Sequence, residues 1–219
     1  MRVSENNKPA FGLTDEALSA MPTVYRSDLF AGRTVLVSGA GSGIGKAIAF
    51  LFARLGAKLA ICGRDPEKLE QTAAWLRKLG SPDVFMQPMT IRDPEQVDAL
   101  MDAVWAHFGG LDILVNNAGI FPRMPFLETT PEFWDQIFTI NLRGAFLCAQ
   151  AAVPPMRERG GGCILNIGSG GAFLSGDLLF AYGISKGALF VMTQNLARNL
   201  AKDRIRANFI TVGWVLTEK

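Results

Sequence analysis

The stretch "TVLVSGAGSGIGKAIAFLFARLG", residues 34 to 56, decides how the rest of the chain is read. It opens with Thr34 to Ser38, an apolar run of strand length, and closes with Ile44, Ala47, Ile48, Leu51 and Leu55 at helical spacing. Between them lie Gly39, Gly43 and Gly45. A strand that enters a glycine turn and leaves as a helix is built to hold a phosphate. Gly39 permits the tight turn, Gly43 lets the backbone approach a pyrophosphate, and Gly45 lets the helix pack closely on the strand. Ser42 and Ile44 complete the turn, and the phosphate is expected at the positive end of the helix. The bland alternative is a flexible turn without a ligand; the strand-to-helix context favours the ligand.

The same alternation continues outward. Strand-length apolar runs recur at 58 to 62 ("KLAIC"), 83 to 87 ("DVFMQ"), 111 to 117 ("LDILVNN"), 163 to 168 ("CILNIG") and 207 to 212 ("ANFITV"). Amphipathic stretches separate them: Leu69, Ala73, Leu76 and Leu79, then Val97, Leu100, Met101, Val104 and Trp105. Asp65-Pro66 and Asp93-Pro94 read as an N-cap followed by proline at the first helical position, and Gln96 stands where a capping-box partner would. Gly56, Gly80 and Gly109 follow the helices as stop signals. Strand and helix in strict alternation require crossovers between parallel neighbours, so the fold class is α/β, a doubly wound parallel sheet with helices on both faces. Residues 31–219 are expected to form this single domain. Residues 1–30 are polar and unpatterned apart from a short helix from Thr14, and read as an N-terminal arm outside the core, either loose or touching a partner.

Composition narrows the functions available. The 219 residues, 49% apolar, can bury one substantial core. Lys and Arg number 22 against 20 Asp and Glu, so a net charge of +2 provides no long-range field for nucleic acid or an anionic membrane, and a small molecule is the expected partner. No run approaches the roughly 18 uninterrupted apolar residues of a membrane span, and no signal-peptide pattern opens the chain. Cys62, Cys148 and Cys163 are far apart in apolar runs, unlike a disulfide framework, which points to a reducing, cytoplasmic location. The sole histidine, His107, ends a helix and is explained by the favourable field there, and no cluster has metal-ligand spacing.

Further motifs follow the glycine turn in order: "NNAG" (Asn116, Asn117, Ala118, Gly119), Asn141 in "TINLRGAF", Ser169 in "NIGSG", and "YGISK" with Tyr182 and Lys186. Alone, a tyrosine and lysine four apart are an ordinary helix surface. Together and in this order the set resembles the short-chain dehydrogenase/reductase family, over about residues 32 to 217. The resemblance implies a Rossmann fold and an NAD(P)-dependent oxidoreductase that moves a hydride between a nicotinamide ring and a carbonyl or alcohol. Tyr182 would be the general acid/base, Lys186 would lower the pKa of the phenol and hold the cofactor ribose, and Ser169 would bond the substrate oxygen. Asn141 would help hold a water chain to the lysine, and Asn117, Ala118 and Gly119 would line the cofactor site. The resemblance also implies a homodimer or homotetramer. The alternatives are a dinucleotide-binding sensor or scaffold without turnover and, among enzymes, an enoyl-thioester reductase.

The finer readings concern cofactor and substrate. Gly63 stands where enzymes preferring NAD usually carry an acid, and Arg64 could pair with a 2′-phosphate, so NADP is preferred with NAD as the alternative. Thr90, before Ile91, stands where the family commonly has aspartate near the adenine. The segments 120 to 131 and 170 to 181, rich in apolar residues and glycine, suggest a mainly apolar substrate. "TVGWVLTEK" resembles the family's proline-glycine segment, with Val212 for proline, Gly213 retained, and Thr217 where the nicotinamide amide is usually met. Family members continue with a covering helix and a seventh strand, so an exposed sheet edge is expected here.

Overall fold

The computed structural model describes residues 12–174 and 176–217. Six parallel strands, β1 (Thr34–Ser38), β2 (Lys58–Gly63), β3 (Val84–Pro88), β4 (Ile113–Asn116), β5 (Gly162–Ile167) and β6 (Ile205–Ile210), form one sheet in the order β3-β2-β1-β4-β5-β6. The order reverses between β1 and β4, and in a sheet of this kind the ligand crevice lies at the C-terminal ends of the strands at that point. Side chains alternate across the sheet because the strand period is two. Leu36 enters the layer built with α4 (Pro94–Phe108) and α6 (Gly144–Glu158), while Val35 and Val37 enter the layer built with α2 (Gly43–Arg54) and α3 (Pro66–Lys78). A strand buried on both faces reads as the unbroken apolar run seen at 34 to 38.

Local chemistry sets the helix ends. Asp65 Oδ1 accepts from Lys68 N at 3.1 Å, and Asp93 Oδ1 accepts from Glu95 N at 3.0 Å, each ahead of a proline. Gln96 does not close a capping box on Asp93. Its Oε1 takes the Thr90 N–H at 2.9 Å and its Nε2 donates to Asp93 Oδ2, so it pins the loop after β3 instead. Gly109 ends α4 in the left-handed conformation, φ +70°, and His107 in the last turn reaches the Asp83 carboxylate at 3.0 Å.

Besides one- to two-residue differences at the ends of β2, β3, β4 and β5, three elements differ from the sequence expectation. β6 begins two residues earlier than expected, because Arg204 turns the chain in a left-handed conformation and the next residue, Ile205, already pairs with Gly162. The segment before β1 is less detached than its composition implies. Residues 1–11 lie outside the described residues, but α1 (Asp15–Ala20) is tied to α2 by a 2.6 Å ion pair between Asp15 and Lys46, and Leu18 and Phe30 pack against the core. Finally, α5 (Pro131–Phe138) runs through a π-helical turn (Thr139–Arg143) into α6, giving one 28-residue helix with an 18-residue stretch of mean hydropathy 1.2, long and apolar enough to cross a membrane. Here Cys148, Ala149, Ala152 and Met156 on that helix pack against the sheet.

At the opposite end of the sheet from the crevice, Asp112 organises a polar clamp. Its Oδ1 accepts from Arg33 at 2.7 Å, and its Oδ2 from Thr34 N at 2.9 Å and Arg159 at 3.2 Å. Burial raises its pKa, but the Thr34 N–H and the two guanidinium groups outweigh burial, and the net direction is down. Asp112→Asn is expected to cost about 1–3 kcal/mol in urea unfolding at pH 7. A depressed carboxylate contributes stability above its unfolded pKa and loses it as pH falls through the folded value. The difference between wild type and variant should therefore shrink under acid.

Candidate active site

The glycine turn is fixed by close packing. Gly39, at φ +68°, leaves no room for a side chain, since a Cβ there would lie 2.9 Å from Ala118 Cα. A Cβ on Gly45 would lie 2.4 Å from both Gly39 O and Asn117 Nδ2. Ser38 couples this turn to β4: its hydroxyl donates to Val115 O at 3.2 Å and accepts from Asn117 N and Ala118 N, both at 3.1 Å. Asn117 Nδ2 returns bonds to Ser38 O and Gly39 O. The serine in "VSGAG" thus welds the two sides of the switch point.

Above the turn opens a cleft of about 860 Å³ at the C-terminal ends of β1 to β4. Gly39, Ser42, Gly43 and Ile44 line its floor, where Ser42 begins α2 without a side-chain cap, so that the helix end faces the cleft. Arg64, Thr90 and Ile91 line one end; Asn117, Ala118 and Gly119 line the other. Thr217 also lines the cleft, but against the glycine turn, its methyl 3.5 Å from where a Gly43 Cβ would stand. Gly45 serves the packing of helix on strand and is absent from the lining, as is Gly213, which has no atom within 4 Å of a would-be Cβ. Sequence reasoning missed Lys68 and Arg92, which line the cleft with Arg64. Lys68 is the fifth residue of "RDPEK"; it is exposed at the cleft rim, where its Nζ lies 3.3 Å from the Asp65 carboxylate.

Beside the cleft, α7 (Phe180–Leu200) carries Tyr182 and Lys186 on one face. Lys186 is buried at 6% exposure, and its Nζ donates to Ile167 O at 2.7 Å. Burial draws its pKa down to about 8. Asn141 sits in the π-helical turn, a feature that often marks functional helices. Its Oδ1 accepts from Ile120 N at 2.8 Å, and its Nδ2 donates to Ile120 O at 3.0 Å and Ser185 Oγ at 3.3 Å. Ser185 in turn donates to Tyr182 O at 2.7 Å. A Cβ on Gly119 would lie 3.2 Å from Asn141 Oδ1 and 3.8 Å from Lys186 Nζ, so the cleft wall and the cluster share one edge. Phe121, on that edge, meets the Tyr182 ring edge-to-face at 4.6 Å. Tyr182 and Lys186 are therefore behind the wall formed by Gly119, Ile120 and Phe121 rather than in the lining itself.

The expected lowering of the Tyr182 pKa by Lys186 is not what this arrangement produces. Burial of the phenol dominates and raises its pKa, and the hydrogen bond with the Ser169 side chain pulls only part of that back. Lys186 Nζ lies 5.9 Å from the centre of the tyrosine ring and is engaged by Ile167, so its charge is spent on a carbonyl.

A parallel sheet with a phosphate-sized glycine turn at its switch point defines a dinucleotide-binding α/β protein. A sequence model of the family described as short chain dehydrogenase matches residues 33–219. An uncharacterized oxidoreductase of Thermotoga maritima is 38% identical over 189 residues, 86% of this chain and 74% of the relative. Among solved structures, the L-sorbose reductase of Gluconobacter frateurii, complexed with NADPH and L-sorbose, is 35% identical with a TM-score of 0.84, covering 88% of this chain and 73% of that one. An NAD+-bound xylitol dehydrogenase is 33% identical with a TM-score of 0.82, covering 84% of this chain and 71% of the other. The chain belongs to the short-chain dehydrogenase family, a family of oxidoreductases that use a nicotinamide cofactor.

Proposed function

We propose that this protein reduces apolar ketones or aldehydes, or oxidises the corresponding alcohols, using NADP in preference to NAD. The observation that carries the reading is the single edge shared by the dinucleotide cleft and the cluster of Asn141, Ser169, Tyr182 and Lys186. The cradle suits a dinucleotide because the glycine turn admits no Cβ at Gly39 or Gly45 and the α2 N-terminus opens into the cleft. Bound there, the cofactor would supply or accept a hydride at the substrate carbon.

In this reading Tyr182 gives its proton to the substrate oxygen during reduction and takes it back during oxidation. Ser169 bonds the same oxygen and stabilises charge as it develops. Lys186, held by Ile167 O, would meet the ribose and return a proton toward Tyr182, with Asn141 bonded to the backbone of Ile120 beside it. Because Lys186 loses its proton near pH 8 and the phenol is raised, reduction should stay level through neutrality and decline above about pH 8. Oxidation, which needs the phenolate, should climb over the same range. A pair of pH–rate profiles with one substrate couple checks both.

Arg64, Lys68 and Arg92 around the far end of the cleft support NADP, since the acid expected of an NAD enzyme is absent at Gly63, and Asp65 is occupied in capping α3. Arg64→Ser is expected to weaken NADPH binding by about 10- to 100-fold while leaving NADH within a factor of about two. Fluorescence titration with each cofactor reads the difference. An apolar substrate is supported by Phe121 against Tyr182 and by exposed Phe173, Leu174 and Leu178 in the following segment. We place the enzyme in the cytoplasm as a homodimer or homotetramer, paired through exposed Phe146, Ile184 and Val191 on α6 and α7. The test of the activity is cofactor absorbance followed with a panel of ketones, alcohols and enoyl thioesters. Tight cofactor binding without turnover on any of them would favour a sensor or scaffold.

A further inference from the structure

Behind the catalytic cluster, a chain of buried polar side chains crosses an otherwise apolar layer. Asn116 on β4 and Asn166 on β5 are register partners, so both side chains project from the same face of the sheet. Asn116 Nδ2 donates to Asn166 Oδ1 at 2.9 Å and to Ala145 O at 3.1 Å. Asn166 Nδ2 donates to Thr193 Oγ1 on α7 at 2.8 Å, and Thr193 Oγ1 donates to Leu189 O at 2.7 Å. Asn166 is 0% exposed, and Asn116 and Thr193 are each 4% exposed. Leu114 and Ile164, two residues before them on the same face of β4 and β5, belong to the buried apolar cluster and have no side-chain group to replace a lost hydrogen bond.

The order of contacts along the two elements carries the argument. Moving up the chain from β5, Asn166 meets Thr193, Ile167 O meets Lys186, and Ser169 meets Tyr182. Moving down α7, residues 193, 186 and 182 are separated by seven and four, which keeps all three on one helical face. Helix and strand therefore run past each other like two scales with three marks aligned. The two upper marks join a carbonyl and three side chains of the proposed catalytic cluster; the lowest is a bond between two neutral side chains sealed in the core. Sliding α7 along β5 by one residue, about 1.5 Å, would unpair Asn166 Nδ2 and Thr193 Oγ1 where water cannot reach. Apolar contacts alone tolerate such slips, whereas a buried polar pair singles out one register.

We infer that Asn166 and Thr193, tied through Asn116 to the centre of the sheet, are positioning residues that set the register of α7 on β5 and so place Tyr182 and Lys186. The inference rests on the proposed roles of those two residues. Its test includes a reading that does not need turnover. The chain has two tyrosines, Tyr25 and Tyr182, so in a Tyr25→Phe background the ultraviolet titration of tyrosinate reports Tyr182 alone.

Thr193→Val keeps the shape of the side chain and removes the hydroxyl. In the Tyr25→Phe background it is expected to lower kcat about 10- to 100-fold with no more than a few-fold rise in the KM for cofactor, since most of the cradle lies at the ends of β1 to β4 and only the ribose contact proposed for Lys186 is disturbed. The Tyr182 titration midpoint should move toward that of a free phenol by about half a pH unit or more as the ring loses its buried seat. Thr193→Ser, which restores the hydroxyl, should restore both readings. Should Thr193→Val fail to fold, Thr193→Ala, with space for a water in place of the hydroxyl, is read in the same two ways. An unmoved titration midpoint in a folded Val or Ala variant, whatever happens to kcat or to unfolding by urea, overturns the inference. A wild type without turnover on any substrate would sink the proposed activity instead, while the titration would still decide the register question.

Discussion

Tyr182→Phe should lower turnover about 100- to 10,000-fold while cofactor affinity stays within a few-fold of wild type. The substitution removes one oxygen and leaves the ring, whose edge-to-face contact with Phe121 and whose place on α7 are unchanged. Only the proton carrier is lost. The reading is sharp because the cleft for the dinucleotide is built by β1 to β4 and the loops after them, and Tyr182 is not in its lining. Steady-state kinetics with NADPH and an apolar ketone, alongside equilibrium titration of NADPH, separate the two quantities. A parallel fall in both would mean that the tyrosine holds the cofactor and some other group carries the proton.

Lys186→Met should have the next largest effect, and in two directions. Activity should fall about 100-fold or more, because the proton return toward Tyr182 and the ribose contact proposed for the ammonium disappear together. Stability of the ligand-free protein should rise. Burial moves the lysine from 10.5 to about 8, so between those pH values the unfolded chain holds a proton that the folded one has released. Stability therefore increases with pH across that window, and the cost of burying the ammonium, on the order of 3 kcal/mol, is fully present below it. Methionine avoids that cost but leaves Ile167 O without its partner, an offset of about 1–2 kcal/mol. The expected net gain at pH 7 is on the order of 1–2 kcal/mol, with a flatter pH dependence between 8 and 10.5. Urea unfolding at pH 7 and pH 10 measures it. A variant less stable than wild type at pH 7 would mean that the ammonium is satisfied where it lies, and that burial does not strain the site.

Much of this was legible from residues alone, for identifiable reasons. The strand at 34 to 38 and the helix after it were readable because each carries its own period and the glycines sit between them. Asp65 and Asp93 announced their helices because a cap is a local event over three residues. The strand expected at 207 to 212 begins at Ile205, because the left-handed turn at Arg204 and the pairing of Ile205 and Arg206 with Gly162 and Cys163 set its start, and neither is local to the apolar run. In the site, the residues facing the cleft were found through glycines and short motifs. The parts that depend on partners far along the chain were not. Nothing near Asn166 in sequence foretells Thr193, 27 residues away, and nothing near Asp112 foretells Arg33, 79 residues away. The direction of the Tyr182 pKa is not legible for a related reason: the spacing of a tyrosine and a lysine gives their common face, whereas burial and the carbonyl of Ile167 are supplied by the sheet.

The proposed reaction requires a phenol and a hydroxyl to meet one carbonyl, with an ammonium close by, beside the hydride-carrying ring. The most direct measurement is a crystal structure of the protein with NADPH and a bound apolar ketone. It should place the nicotinamide next to Gly119 and Ile120, with the ketone oxygen within hydrogen-bonding reach of both the Tyr182 and Ser169 hydroxyls. A nicotinamide bound away from that edge, or a ketone oxygen held by neither hydroxyl, would contradict it.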